Sequence, residues 1–511
     1  ESKTKVAGIP MPDSQPATTN LTVALLAHNL AQHPNKTAYL CNDEAVSYQQ
    51  LADRTCRFAT LLQQNGIAAG ERVLLILPDS PVFVAAFLGT VLHGAIAVPV
   101  STALSSEEYR SILQDSEAVF LVSSAVVPAA ELLTSAGLAS LICGESLSGW
   151  LDQYPAAQLA AAAPKADDPA FMLYSSGSTG KPKGVPHRHR DLLVAARQYA
   201  VQVLNMQQED LIFSASKLFF AYGLGNSLAF PLYAGATAIL HPGKPLPDEL
   251  LHLITQHRPT LFFAVPTVYT QIILSTTATQ LNLPMRLCIA AGERLPGDVF
   301  NEWQRLTGLA ILDGIGTTEL THIFISNYPG RIRTGSAGQA VPGYQIRLVD
   351  DQGNQVQAGT PGHLQVRGDS TAPCYWNLPE KSATTMLPDG FIKTGDLFLE
   401  EDGYYYHQGR SDDMLKVGGQ WVSPVQVEEV LRSHPAVADC AVAACTVMGL
   451  MHAAAYLILK PGSNACSGIE NELRSFMATR LPDYMVPIRY HLVDNLPRTA
   501  TGKVQRFKLR S

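Results

Sequence analysis

The chain has 511 residues, too many for one simple core and enough for two to four compact units. Hydrophobic residues make up 46% and charged residues 16%, a balance that excludes a disordered chain. The formal net charge of −7, with no long basic run, excludes a general nucleic-acid surface but leaves room for phosphate ligands held by local cations and backbone amides.

In chain order, the first 20 residues are rich in Pro, Ser and Thr and read as a tail without a secretory leader. Helical stretches then alternate with short apolar runs. RVLLIL (72–77), AIAVPV (95–100) and AVFLVS (118–123) read as buried parallel strands. Phe83 to Val100 is the most apolar stretch, but His93, two glycines and Pro99 make it a buried helix running into a strand, and no membrane span is expected. The rhythm returns with TAIL (237–240) and LFFAV (261–265), so an α/β fold with parallel sheets is predicted. From about Gln339 to Gly409, glycines, prolines and short alternating strands predict a small antiparallel or barrel-like region. The last hundred residues carry amphipathic helices (VQVEEVLRSH, NELRSFMATR) between strands (CAVAAC, AAYLILK) and read as a separate small α+β domain. The eight cysteines are scattered without a C-x-x-C, which fits reduced thiols in the cytoplasm rather than a disulfide framework or a zinc site.

The strongest local signal is YSSGSTGKPKG, Tyr174 to Gly184, after the probable strand AFML. Small residues let backbone N–H groups and hydroxyls surround phosphate oxygens, and Lys181 and Lys183 add charge. A P-loop is excluded: its first glycine would be Ser175, and Pro182 stands where Ser or Thr is needed. Alone, the string is also compatible with a flexible surface turn.

Further motifs follow in order. GIGTTE (314–319), KTGD (393–396), GRSDDMLKVGG (409–419) and PRTATGKVQR (497–506), together with the glycine-rich string, resemble the ordered motifs of the acyl-adenylate-forming superfamily. That superfamily comprises acyl- and aryl-CoA ligases, adenylation domains and luciferases, and the resemblance runs from about residue 21 to the end. It implies a large N-terminal unit, residues 1–411, with two α/β sheet subdomains and a β-barrel-like subdomain. A mobile α+β domain, 412–511, would follow.

The resemblance also implies roles. Ser175, Ser176, Gly177, Ser178, Thr179, Gly180 and Lys183 would surround the ATP phosphates, whereas Lys181 has no assigned role. Thr318 would bind the α-phosphate, and Glu319 would hold Mg²⁺, a hard cation on a hard oxygen. Ala291, Gly292, Glu293, Asp313, Gly314 and Ile315 would border the nucleotide, and Asp396, with Arg410 beside it, would take the ribose hydroxyls. Lys503 would reach the reacting carboxylate and α-phosphate as a point cation. Asp412 matches the family's hinge, and Gly418 and Gly419 match its thiol tunnel. ATP, Mg²⁺ and coenzyme A are the expected ligands. Retention of Glu319, Asp396, Arg410 and Lys503 together argues against a non-catalytic scaffold.

SKLFFAYGLGNSLAFPL (216–232) and DGIGTTELTHIFISN (313–327) resemble the aryl-CoA ligase branch that includes benzoate and 2-aminobenzoate (anthranilate) enzymes. By that similarity Phe220, Ala221, Tyr222, Gly316, Thr317, His322 and Ile323 would line the acid pocket, with apolar walls for a ring and ring-sized room at Ala221 and Gly316. Phe219 reads as core. Benzoate and anthranilate stay open, as does a carrier-protein thiol in place of coenzyme A, and a homodimer is compatible with the sequence. Departures are Ile315 for an aromatic, Phe220 for a frequent histidine and His363 for a frequent glutamate. Val425 to Glu428 and TVMGLMHAAAY (446–456) also depart, on what are expected to be surface elements of the small domain, and they put the coenzyme A nucleotide contacts in doubt.

Overall fold

A computed structural model describes residues 20–124, 139–143, 151–156, 162–165, 167–176, 182–418, 420–460, 468–498 and 504–509. The expected N-terminal tail, the apex of the glycine-rich loop at 177–181, Gly419 and Lys503 lie outside the described residues.

Local chemistry sets the early helices. Ser47 and Gln50 form a reciprocal capping box at the start of Tyr48–Gln64, and Ser105 and Glu108 do the same for Ser106–Ser116. The apolar stretch resolves into the helix Pro81–His93 and the strand Ile96–Pro99, and among the described residues no helix is long and apolar enough to cross a membrane.

Two large sheets organise the first part of the chain. In one, Thr37–Cys41, Thr237–Leu240, Leu211–Ser214, Leu261–Ala264, Leu287–Ala290 and Ile311–Gly316 lie side by side in parallel. Antiparallel edges close it: Glu44–Ser47 on one side, Ile323–Ser326 and Gln339–Ala340 on the other. In the second, Ala139–Cys143, Phe120–Ser124, Arg72–Ile76, Ile96–Pro99 and Pro169–Ser176 run parallel, and Pro182–Arg188 turns back against the last. The continuous apolar runs are the parallel strands, because helices cover both faces of such sheets. One core spans both, from Leu21 through Phe87, Phe171 and Tyr199 to Ile325. The region after Gln339 is a four-stranded antiparallel sheet of Gln345–Val349, Gly362–Arg367, Ile392–Glu401 and Tyr404–Arg410.

Beyond Arg410 the chain builds a core of its own from Leu415, Val422, Val427, Leu431, Leu457 and Met477. The strands Val437–Val447 and Leu450–Leu459 form a long hairpin, with Arg489–Leu492 parallel to the second and helices Pro424–Arg432 and Ile469–Ala478 packed nearby. Met448 and Gly449, both at positive φ (50° and 79°), make its two-residue turn. Of the segment 446–456, expected at the surface, the tip is exposed at Met448, Leu450 and Met451, but the expectation is corrected for Ala453, Ala454 and Ala455, which the strand pairing buries. The expectation for Val425 to Glu428 is corrected: Val427 and Glu428 are buried (0% and 2% exposed), because Glu428 is the acceptor at the centre of an arginine cluster.

Candidate active site

The glycine-rich string sits on a hairpin. Ser175 pairs with Lys183 and Tyr174 with Gly184, so the strands close the base of the loop. Tyr174 Oη donates to Asp115 Oδ2 at 2.7 Å, and Trp376 N donates to Gly184 O at 2.8 Å, which fixes that base to two other parts of the chain. The side chain of Ser176 and residues Gly177, Ser178, Thr179, Gly180 and Lys181 are not among those described.

Thr318 and Glu319 lie on a short 3₁₀ turn at the carboxyl end of Ile311–Gly316, where open α/β sheets place their ligands. Tyr375 Oη donates to Glu319 Oε1 at 2.7 Å, and the Lys183 ammonium lies 5.5 Å from the Tyr375 ring centroid. Burial lowers the Lys183 pKa, nearby Lys381 and Arg410 add to this, and Glu319 and Asp412 oppose it. Arg410 stands directly across the ladder from Asp396, with Nη1 3.3 Å from Oδ1 and 2.9 Å from Thr394 O. Burial works against the Arg410 charge, but Asp396, Asp412 and Glu319 outweigh it and raise its pKa. Gly395 makes this approach possible. Its φ is +78°, and a Cβ there would lie 2.7 Å from Arg410 Nη2. His407 Nε2 approaches the same Asp396 oxygen at 3.3 Å. Three cations and three carboxylates thus share one small volume.

The neighbouring strand end carries Ala291, Gly292 and Glu293. Thr267 Oγ1 donates to Glu293 Oε2 at 2.7 Å, while Glu293 Oε1 is buried with no partner among the described residues. Asp313 pairs with Ala290 across the sheet. Burial pushes its carboxyl up to about 8, against the pull of Arg294 and of the Gly314 and Leu295 N–H groups.

Phe220, Ala221 and Tyr222 begin a short helix that passes at Gly225 into a π-helical segment, 225–229. A second π segment, 196–201, carries Tyr199. Such segments are rare and concentrate at functional sites. Between them lies His322, 2% exposed, with ring centroids 4.5 Å from Phe230, 5.3 Å from Tyr222 and 5.5 Å from Tyr199. Burial pushes its pKa down to about 3, against the pull of the Tyr222 carbonyl, so the ring is neutral at pH 7. Its Nε2 faces two acceptors, Asn226 Oδ1 at 3.0 Å and Tyr222 O at 3.3 Å, so the proton belongs on Nε2. Nδ1 is then an acceptor, buried and without a partner among the described residues, and Thr317 Oγ1 is likewise unpartnered. The room at Gly316 is used differently from the expectation: a Cβ there would meet His322 O at 2.4 Å, so the glycine serves strand contact. Ile323 is buried, and Phe219 is core, edge-on to Phe220 at 4.8 Å.

In the small C-terminal unit, Asp412 lies in the 3₁₀ turn Ser411–Asp413, and Gly418 follows the strand Leu415–Val417 with φ +55°. Arg506, three residues beyond Lys503, donates to Glu428 Oε1 at 2.7 Å and to Asp413 Oδ2 at 3.3 Å. Arg294, next to Glu293, meets Glu429 of the small unit at 2.9 Å. His363 bonds Ser411 Oγ at 3.0 Å, beside Asp412.

The residues present fit a magnesium nucleotide. The Glu319 carboxylate stands beside Lys183 and Arg410, which is the donor set that a hard cation and phosphates require. Sequence reasoning missed Tyr375, Asn226, Thr321 and His407. His407 lies opposite Phe398 on the strand paired with that of Asp396, a register that the sequence does not announce. The others act through contacts far apart in sequence.

Known proteins give the same picture. Residues 26–376 match the family of AMP-binding enzymes, and residues 426–503 match the C-terminal domain of AMP-binding enzymes. The chain is 41% identical to the benzoate–CoA ligase of Thauera aromatica, over 95% of each chain. Among solved structures it resembles the anthranilate CoA ligase AuaEII in complex with anthranoyl-AMP (39% identity, TM-score 0.92, 97% of each chain). It also resembles a benzoate CoA ligase from Burkholderia xenovorans LB400 (39% identity, TM-score 0.90, 96% of this chain and all of that one, 100%). With sequence and fold matched over nearly the whole length, the chain belongs to the family of AMP-binding enzymes.

Proposed function

We propose that this protein is an ATP-dependent aryl-CoA ligase. It activates a small aromatic carboxylate as the acyl-AMP, releases pyrophosphate and passes the acyl group to coenzyme A, releasing AMP. One observation carries the reading. A single segment, Gly316 to Ile323, joins a polar, charge-rich site at Glu319 to an aromatic-walled, neutral site at His322.

A carboxylate is a poor electrophile. Attack of its oxygen on the α-phosphorus of ATP expels pyrophosphate and leaves a mixed anhydride, from which a thiol displaces AMP. Positioning and charge neutralisation dominate such a step. Mg²⁺, when bound, would neutralise phosphate charge, with Glu319 as its ligand. Thr318, Lys183 and the loop from Ser175 to Gly180 hold the phosphates, and Asp396 with Arg410 orients the ribose. Ala291 to Glu293, Asp313, Gly314 and Ile315 border the adenine. Lys503 steadies the charge developing between carboxylate and α-phosphate. Phe220, Ala221, Tyr222, Thr317 and Ile323 surround the ring. The boundary between the units falls at Asp412, the hinge, and Gly418 and Gly419 line the thiol path. Scattered cysteines without a C-x-x-C suit a cytoplasmic setting.

Of benzoate and 2-aminobenzoate, the second is favoured by His322 Nδ1. A buried acceptor without a partner is costly, and an ortho N–H would satisfy it. The test is AMP formation with ATP, Mg²⁺ and coenzyme A across benzoate, 2-aminobenzoate, 4-hydroxybenzoate and acetate, beside acid-dependent pyrophosphate exchange without coenzyme A. Turnover that needs coenzyme A and an aryl acid, led by 2-aminobenzoate, is the expected result. A lead for benzoate would remove the role given to Nδ1. Exchange without coenzyme A-dependent product would point to a carrier-protein thiol, and no response to any aryl acid would end the reading.

A further inference from the structure

Thr321 stands between Glu319 and His322. Its φ is 74° and its ψ −44°, and His322 N donates across it to Leu320 O at 2.9 Å. This is the positive-φ γ-turn, the rare and strained member of its class, and a β-branched residue is the least suited to it. Thr321 is fully buried, so the conformation is imposed by its surroundings.

The imposing element is the segment from Asp369 to Trp376. Ala372 N donates to Glu319 O at 2.8 Å. Ser370 acts from both sides: its Oγ donates to Leu320 O at 2.9 Å, and its carbonyl accepts from Thr321 Oγ1 at 3.3 Å. The Thr321 hydroxyl also lies 3.4 Å from His187 Nδ1, which is paired with buried Asp191. The segment is anchored in turn. Arg188 donates to Asp369 O and Thr371 O, and Trp376 N holds the base of the glycine-rich hairpin at Gly184.

We infer that Thr321 is a positioning residue: its hydroxyl, locked against Ser370, fixes the distance and angle between the phosphate-facing Glu319 and the acid-facing His322. This inference rests on the ligase reading above. Without the hydroxyl the strained turn relaxes toward ordinary backbone, and the two groups lose their spacing. A carboxyl oxygen bound at one end would then miss the in-line approach to the phosphorus held at the other, although each ligand still finds its own contacts.

The experiment compares Thr321→Val, which keeps the shape and removes the hydroxyl, with Thr321→Ser, which keeps the hydroxyl, and with Ser370→Ala. Pyrophosphate exchange is measured as a function of aryl acid and of ATP. Thr321→Val should lower kcat roughly 100-fold and raise the KM for the acid, the size expected of a displacement near 1 Å, with the KM for ATP within about twofold of wild type. Thr321→Ser should restore kcat to within about threefold, and Ser370→Ala should lose about tenfold with the same pattern. Equal kinetics for the Val and Ser variants, or a rise in the KM for ATP matching that for the acid, would overturn the inference. Should Thr321→Val fail to fold, Thr321→Ala, which also removes the hydroxyl, decides, and wild-type kinetics there would overturn it. A wild type with no acid-dependent exchange would overturn the ligase reading and this inference together. An active wild type beside an unaffected Thr321→Val would overturn this inference alone.

Discussion

The two ends of the segment from Gly316 to Ile323 solve opposite problems. At the Glu319 end, Lys183, Lys381 and Arg410 crowd against Glu319, Asp396 and Asp412, and charge is held in place by charge. At the His322 end, burial has removed charge altogether, and a neutral imidazole sits among Phe230, Tyr222 and Tyr199. On the proposed reading, the first end would hold a polyanion whose charge shifts during reaction, and the second would recognise a ring by shape. Selectivity and chemistry are thus divided over a few residues of backbone.

The charged end is tested most severely through Lys503. Its replacement by Ala should slow pyrophosphate exchange about 100- to 1,000-fold, as loss of a preorganised charge does elsewhere, with little change in the KM for the aryl acid. A loss in acid KM alone would move Lys503 out of the chemistry. The neutral end is tested at Gly225, where a Cβ would lie 2.3 Å from His322 Cδ2. Gly225→Ala must displace the ring, so kcat/KM for the acid should fall about 10- to 100-fold, as for a misplacement near 1 Å, while the KM for ATP holds. Unchanged acid kinetics would show that His322 has no part in the pocket.

Asp313 gives a smaller effect that separates the ends by pH. Burial sets its folded pKa at about 8, whereas an unfolded aspartate titrates near 4, at about 3.9. Below the lower value both states hold the proton. Above it the unfolded chain releases the proton and the folded chain keeps it, so stability falls as pH rises and levels off beyond about 8. The Tm of Asp313→Asn should match wild type near the bottom of that window and exceed it by about 2–4 °C at the top. Parallel curves would mean that Asp313 is ionised in the fold. The smallest effect is expected at the Arg294–Glu429 pair between the units, where Glu429 is half exposed (53%). Such pairs contribute about 0–1 kcal/mol, so Glu429→Ala should change turnover less than about fivefold, and only at low salt. A larger change would make this contact a determinant of how the small unit sits.

Much of the fold was legible because its signals are local. RVLLIL, TAIL and LFFAV are apolar without interruption, as strands buried on both faces must be, and each is a parallel strand. Other contacts were not legible because their causes are distant in sequence. Tyr375 reaches Glu319 across 56 residues, and His322 meets Asn226 across 96, with nothing in either local pattern to announce it. Glu428 looked like an ordinary polar residue on a surface helix. Arg432 stands one turn on along the same helix, but the closer partner, Arg506, is 78 residues away, and together they make its burial tolerable. Gly316 was read as ring-sized room, but strand register gives that space to the backbone of His322.

The Glu428–Arg506 contact has a mechanical consequence. Arg506 is bound both to that buried glutamate and to Asp413, the residue after the proposed pivot. One guanidinium therefore ties the helix Pro424–Arg432 to the turn Ser411–Asp413. Were the small unit to turn about Asp412, helix and turn would travel as one piece, as a spoke moves with its hub.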